Sequence, residues 1–391
     1  MNQKSMNQKS MNQKSINTIP MVDVQAWHRP IQAQLEKKAL KVLRSGRFIM
    51  GKEVAFFEQE AADYLGARYA ISCANGTDAL ILALQAAGIG PGDEVLTTGF
   101  TFFATAEAIM QSGATPVLVD IDSETFNIDP VELEGSITSR CRAVLLVHLF
   151  GLPAALSEIQ AVCDRHGLIL LEDCAQSFGA SYHSRKTGNF GLLGAFSFFP
   201  SKNLGGFGDG GLVITNQLKA AEMVRKLRNH GSSSQYHHDC PGYNSRLDEI
   251  QAALLRVKLQ HIEAFNAQRQ QVAQWYREFL SGSEVLFPQH HHEHIFHQFT
   301  VVLPSGRDMV KKRLAEKGIA SAIYYPLPLN KQRALAGIAV EHALPVCGQL
   351  SEHCLSLPIY PGMTRSQTET VARTLINVMD CQGSLYTQSA F

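Results

Sequence analysis

Between residues 69 and 215 the chain alternates short, almost unbroken apolar runs with stretches of helical periodicity. The apolar runs fall at 69–74, 94–98, 116–120, 143–148, 168–171, 195–199 and 212–215, lengths that suit strands. Helical patterns occupy 76–87, 103–112 and 156–166. Strands that are apolar on both faces belong in a parallel sheet covered by helices on each side. The expectation is an α/β fold with a mostly parallel sheet of seven strands between helices.

Amphipathic helices at 31–45 and 53–65 flank the turn SGRFIMG. Residues 247–280 read as one long helical stretch, with Leu247, Ile250, Leu254 and Val257 on a single apolar stripe. Beyond SGS at 281–283 the pattern changes to a strand near 296–303, a helix at 307–318, a strand near 322–325 and a helix at 364–378. The expected organisation is a large α/β domain over 20–250, a connecting helix over 251–280 and a small α+β domain over 281–391. The repeat MNQKSMNQKSMNQKS carries no apolar core, so it is not a secretory signal, and 1–19 are expected to be a disordered leader.

Composition narrows the function. Of 391 residues, 45% are hydrophobic and 18% charged, with a formal net charge of zero, as in an ordinary soluble domain. Nothing in that balance points to nucleic acid or to a polybasic membrane anchor, and no apolar run approaches the ~18 residues of a membrane span. The eight cysteines form no CxxC pair or zinc-ligand spacing. A reducing, cytoplasmic location is expected.

The chemistry gathers where strands give way to helices, the usual ligand position in an open α/β sheet. In CANGTDALILAL, Asn75-Gly76-Thr77 opens a helix whose free backbone amides suit a phosphate; the same residues also suit an ordinary cap. In LLEDCAQSFGA, Asp173 follows an apolar strand, with Gln176 one turn on; a carboxylate there either meets a ligand or caps the next segment. In GFTFFATAEAI, Phe102 heads a helix and could stack on a flat ring or belong to the core.

FSFFPSKNLGGFGDGG, 196–211, is the most telling stretch. Ser197 and Lys202 precede five glycines at 205–211. A lysine in a water-poor pocket is disfavoured as an ammonium and becomes a nucleophile for carbonyls, pyridoxal phosphate above all; a snorkelling lysine is the plain alternative. The four motifs supply different needs of that one cofactor: an amine for its aldehyde, an anion for its ring nitrogen, donors for its phosphate and a surface for its ring.

These segments, with GYNSRLDEIQAALLRVKL, closely resemble the DegT/StrS family of nucleotide-sugar aminotransferases, collinearly over about 20–375. The resemblance implies the fold type I architecture of pyridoxal phosphate-dependent transferases. It implies that Lys202 carries pyridoxal 5′-phosphate (PLP) covalently, that Asp173 pairs with the pyridine nitrogen and that Gln176 reaches the ring hydroxyl. Gly76, Thr77 and Ser197 would hold the phosphate, and Phe102 would lie against the ring. Asn244 would reach the phosphate from the neighbouring subunit of a homodimer. SGRFIMG and YYPLPL, 324–329, would border the sugar-nucleotide site, with Arg246 and Tyr325 as substrate contacts. Many relatives have histidine where Tyr324 stands.

Some relatives are dehydratases with histidine in place of the lysine, so Lys202 implies transamination. L-Glutamate would leave its amino group as pyridoxamine phosphate, depart as 2-oxoglutarate, and a keto sugar on a nucleotide would take the amine. The motifs look most like members that aminate UDP-2-acetamido-2-deoxy-3-keto-glucuronic acid for surface polysaccharide, including lipopolysaccharide O-antigen. The alternatives are a UDP- or dTDP-4-keto-6-deoxy sugar and, from another class, a non-catalytic PLP-binding regulatory protein. A desulfurase is disfavoured by the lack of a cysteine near Lys202.

Three further signals stand apart. QHHHEHIFHQF holds five histidines at 290–297 and is expected to be an exposed loop entering a strand, with no metal. His148 could line the site or cap its strand. The segment 228–240 is expected to be a polar loop near the interface.

Overall fold

The computed structural model describes residues 18–288 and 293–388. Seven strands build the main sheet: β1 (Tyr69–Cys73), β2 (Glu94–Thr98), β3 (Thr115–Val119), β4 (Cys141–Val147), β5 (Ile169–Asp173), β6 (Leu193–Ser197) and β7 (Gly211–Thr215). Their spatial order is β1-β7-β6-β5-β4-β2-β3. Only β7 runs against its neighbours; the rest pair in parallel, as the apolar runs predict. The two-residue strand Val340–Glu341 adds to the β3 edge from the C-terminal part of the chain.

Alternation within each strand explains the two covered faces. Ile71, Ala143, Leu145 and Val213 join one buried cluster, with helices α3 (Gly76–Ala86), α4 (Ala104–Gln111) and α6 (Leu218–Leu227). Their neighbours Ala70, Leu212 and Ile214 face α2 (Lys52–Leu65) and α7 (Glu249–Leu259), while Val144 and Leu146 face α5 (Leu156–His166). Helix α1 (Gln32–Ser45) packs on α7.

The expected single helix over 247–280 is two, α7 and α8 (Ile262–Leu280), because the backbone leaves helical geometry at His261. The break lets α7 bury Leu254 and Val257 beside Trp27 while α8 sends Val272 and Tyr276 into the C-terminal core. That core is built on β8 (Phe299–Val302) paired antiparallel with Cys354–Leu357, under α9 (Arg307–Glu316) and α10 (Arg365–Gln388). The strand expected near 322–325 is a single bridge from Ala322 to Ser356, since the prolines at 326 and 328 cannot donate to a ladder. Ile19, assigned from the sequence to the leader, is buried and bridges Ile319; the rest of the expected leader, save Thr18, lies outside the described residues.

Candidate active site

Strand register brings the motifs to one end of the sheet. Gly211 pairs with Cys73 on one side and Ser197 on the other, so the chain beyond β1 and the end of β6 meet across it. A Cβ on Gly211 would fall 2.1 Å from the Asn75 carbonyl, so only glycine permits this approach. Asn75 caps α3, its Oδ1 accepting the Asp78 N–H at 2.8 Å. That cap leaves the Gly76 and Thr77 amides of the first turn directed outward, beside Ser197.

Asp173 ends β5 and is buried. Its Oδ2 accepts the Thr105 hydroxyl at 2.9 Å and its Oδ1 the Ala175 N–H at 3.1 Å. Burial raises its carboxyl pKa, while these two donors and Lys202 act the other way. Gln176 accepts the Phe150 N–H at 2.6 Å and donates from Nε2 to the Tyr325 hydroxyl at 3.1 Å.

Lys202 follows β6 in a tight turn held by Lys202 N–H to Phe199 O, 2.8 Å, and Gly206 N–H to Phe198 O, 2.7 Å. A Cβ on Gly205 would meet the Pro200 carbonyl at 2.3 Å. Desolvation lowers the Lys202 pKa to about 8, with the Asp173 charge opposing the shift. A deprotonated, nucleophilic fraction therefore exists near neutral pH.

One cavity of about 440 Å³ is lined by Gly76, Thr77, Phe102, Asp173, Gln176, Ser197, Lys202 and Tyr325, all expected site residues. Phe102 is 59% exposed at its mouth, two residues before α4 begins, with its ring 6.3 Å from that of Tyr325. Asn244 and Arg246 do not line it. Asn244 is exposed and bridges Asn229, and Arg246 donates to Asn229 Oδ1 at 3.4 Å. A larger cleft of about 720 Å³, lined by Phe126, Leu286, Val302 and Leu350 among others, has no lysine in its wall among the described residues.

Sequence reasoning missed Thr105, Asn203 and His297. Thr105 could have been found as the hydroxyl one turn beyond Thr101, to which it is hydrogen bonded at 3.1 Å. His297 was absorbed into the histidine-rich segment, yet it is buried and lines the cavity. His294 is buried as well, with Nε2 on the Phe150 carbonyl at 3.1 Å, so the expected exposed loop does not extend to these two. His290, His291 and His292 lie outside the described residues.

His148 lines no part of the cavity; its Nδ1 accepts the Ala154 N–H and its Nε2 donates to Glu172 at 3.0 Å. With Cys174 these groups place three potential metal-ligand atoms within 4.8 Å of one another. The Glu172 carboxylate, however, is already taken by His148 and by the amides of Gly188, Phe190 and Gly191.

The sequence profile of the DegT/DnrJ/EryC1/StrS aminotransferase family matches residues 30–376. The chain belongs to that family. It is 46% identical to the UDP-N-acetyl-3-dehydro-alpha-D-glucosamine 3-aminotransferase of Acidithiobacillus ferrooxidans, covering 91% of this chain and 97% of that one. It is 41% identical to the UDP-2-acetamido-2-deoxy-3-oxo-D-glucuronate aminotransferase of Pseudomonas aeruginosa, over 92% and 100%. A Geobacillus stearothermophilus relative described as a pleiotropic regulatory protein is 44% identical over 91% and 97%. Among solved structures, DesV of S. venezuelae superposes with a TM-score of 0.89 at 40% identity, covering 92% of this chain and 98% of that one. The fold type I architecture and the aminotransferase class implied by the motifs thus hold for this chain.

The donor set in the cavity fits PLP: one amine, one buried carboxylate and a helix N-terminus flanked by hydroxyls, with an exposed aromatic ring at the rim.

Proposed function

We propose that this aminotransferase moves the amino group of L-glutamate onto the keto carbon of a UDP-linked 3-keto sugar. The observation that carries the reading is the convergence of Lys202, Asp173 and the Gly76–Thr77 amides on a single cavity. PLP, when bound, supplies the electron sink for carbanion chemistry. Lys202 would hold its aldehyde carbon covalently and, when free of it, would move a proton at the substrate carbon. Asp173 would set its charge against the ring nitrogen, its carboxylate held by the Thr105 hydroxyl and the Ala175 amide. Gln176 would address the ring hydroxyl, Ser197 and the α3 amides the phosphate, and Phe102 the ring face.

Two relatives named for UDP-3-keto sugars support a UDP sugar with a 3-keto group, and the uronic acid form, for surface polysaccharide, is the substrate we favour. Asn244, exposed in the single chain, is assigned to the neighbouring subunit's phosphate in a homodimer, with Arg246 beside it for substrate. Described cysteines are free and mostly buried, and no described helix is long and apolar enough to cross a membrane, both in keeping with a cytoplasmic enzyme. The proposed division is a large domain over 20–250 and a small one over 281–391, with α8 connecting them and Ile19 packed in the C-terminal core.

The regulatory alternative has a namesake among the relatives, but a pure binder has no use for a lysine poised near pH 8. The test is optical. PLP-loaded protein should absorb as a yellow imine, and L-glutamate alone should bleach it; colour without bleaching supports the regulatory reading. Borohydride reduction and peptide mapping should label Lys202. A panel of keto-sugar nucleotides then identifies the acceptor.

A further inference from the structure

Behind the cavity a chain of amides ends on a group whose role is beyond doubt: a backbone carbonyl only accepts. Phe178 O takes a hydrogen bond from Asn266 Nδ2 at 3.2 Å, so Asn266 Oδ1 faces the other way and accepts Asn203 Nδ2 at 2.7 Å. Asn203 Nδ2 also reaches the Ile295 carbonyl, which agrees with that orientation. Asn203 Oδ1 is therefore left as an acceptor, 3.1 Å from His297 Nδ1. The proton of a neutral His297 must sit on Nδ1, and Nε2 carries the lone pair. All three side chains are buried.

The surroundings keep this imidazole uncharged. Burial, Lys202 on the cavity side and Arg269 behind all push its pKa well below the ordinary histidine value. Arg269 donates to the His297 carbonyl at 3.3 Å, and among the described residues no carboxylate is hydrogen bonded to the ring. Gln298 Nε2 stands 3.5 Å from Nε2, at the limit of a hydrogen bond.

We propose that His297 is a positioning residue for Lys202: its Nε2 accepts one N–H of the freed Lys202 amine and turns that amine's lone pair toward the substrate carbon. A neutral acceptor suits the task because a carboxylate there would hold Lys202 as an ammonium, which has no lone pair to use. No proton is transferred to His297. The inference rests on the aminotransferase reading above.

The test compares His297→Asn, His297→Phe and His297→Gln as holoenzymes in single-turnover reaction with L-glutamate. Asparagine keeps a group at the Nδ1 position for Asn203 but nothing at Nε2, whereas glutamine reaches the Nε2 position. The Asn and Phe variants should slow the half-reaction about 10²-fold with glutamate affinity little changed, and Gln should recover most of the rate. A wild-type rate in His297→Asn, or a loss confined to glutamate affinity, overturns the proposal. Long-range ¹H–¹⁵N spectra of the full chain give a second readout. His297 should be protonated on Nδ1 and bare on Nε2 from pH 6 to 9, and an imidazolium or the opposite tautomer would overturn it even if the variants fail to fold. If wild-type holoenzyme shows no glutamate half-reaction, the aminotransferase reading falls, while the nitrogen spectrum still decides the tautomer.

Discussion

Glu172 and Asp173 are consecutive, both carboxylates and both buried at the end of β5, yet they stand in opposite situations. Side chains alternate along a strand, so one turns into the packed layer and the other to the cavity. Glu172 accepts three backbone amides and His148, which satisfies a buried charge. Among the described residues Asp173 is hydrogen bonded by Thr105 and Ala175 alone, with its remaining capacity toward Lys202 and the cavity. Two lysines divide the same way, Lys258 fully buried and Lys202 partly buried. Lys258 donates to the Gly205 carbonyl and lies over the Trp27 ring at 4.4 Å, whereas Lys202 faces open space. A buried carboxylate whose partners the protein supplies is structural, and one left short of partners beside a cavity awaits a ligand.

Substitutions on the two sides should separate these roles. Lys202→Ala should cause the largest loss, beyond the ~10²–10⁴-fold expected for a general base alone, because the cofactor's covalent anchor goes with it; steady-state turnover with glutamate and a keto-sugar nucleotide measures it. Asp173→Asn should retain cofactor but slow turnover about 10²–10³-fold, in the range of a lost electrostatic partner. Turnover at the wild-type rate would remove Asp173 from its assigned role.

On the structural side, Glu172→Gln puts an amide NH₂ against donors it cannot accept from. His148 Nε2 must keep its proton because Nδ1 already accepts from Ala154. The expected cost is about 3 kcal/mol in denaturant midpoint analysis, with near-normal turnover per folded site.

Lys258 makes a pH prediction. Desolvation, then repulsion from Arg269, lowers its pKa from 10.5 to about 7 in the folded protein. Between these values the unfolded chain binds the extra proton, so stability attributable to this group rises with pH over 7–10 and is flat below and above. Lys258→Met should remove up to about 1.4 kcal/mol per pH unit from the slope in that window, read from unfolding free energies at pH 7, 8.5 and 10. Lys202 and Arg269, also lowered, keep the remaining slope in the variant. The smallest effect is expected from Phe102→Ala, whose ring is exposed; cofactor affinity should weaken several-fold, about 1 kcal/mol, by equilibrium dialysis.

The seven strands and their parallel pairing were legible because apolar runs of strand length, separated by helices, leave few topologies. Lys202, Asp173, Gln176 and the Gly76 cradle were legible because each is a polar or glycine exception at the end of an apolar run. His297 was not, since it falls in a histidine-rich segment and its partner Asn203, with Asn266 behind it, lies 94 residues away in the chain. The break at His261 was hidden as well, because the apolar stripe continues through it and only the two cores it serves reveal the bend.

By itself, then, the order of residues determined which segments are strands and helices and which exceptional side chains sit at their ends, since periodicity and turn chemistry are local properties. Tertiary structure alone decided which of two adjacent carboxylates faces the cavity, which histidine lines it with Lys202 and which nitrogen of that histidine meets Asn203. Those outcomes depend on partners brought from distant parts of the chain, and no local pattern encodes the direction in which a buried hydrogen bond runs.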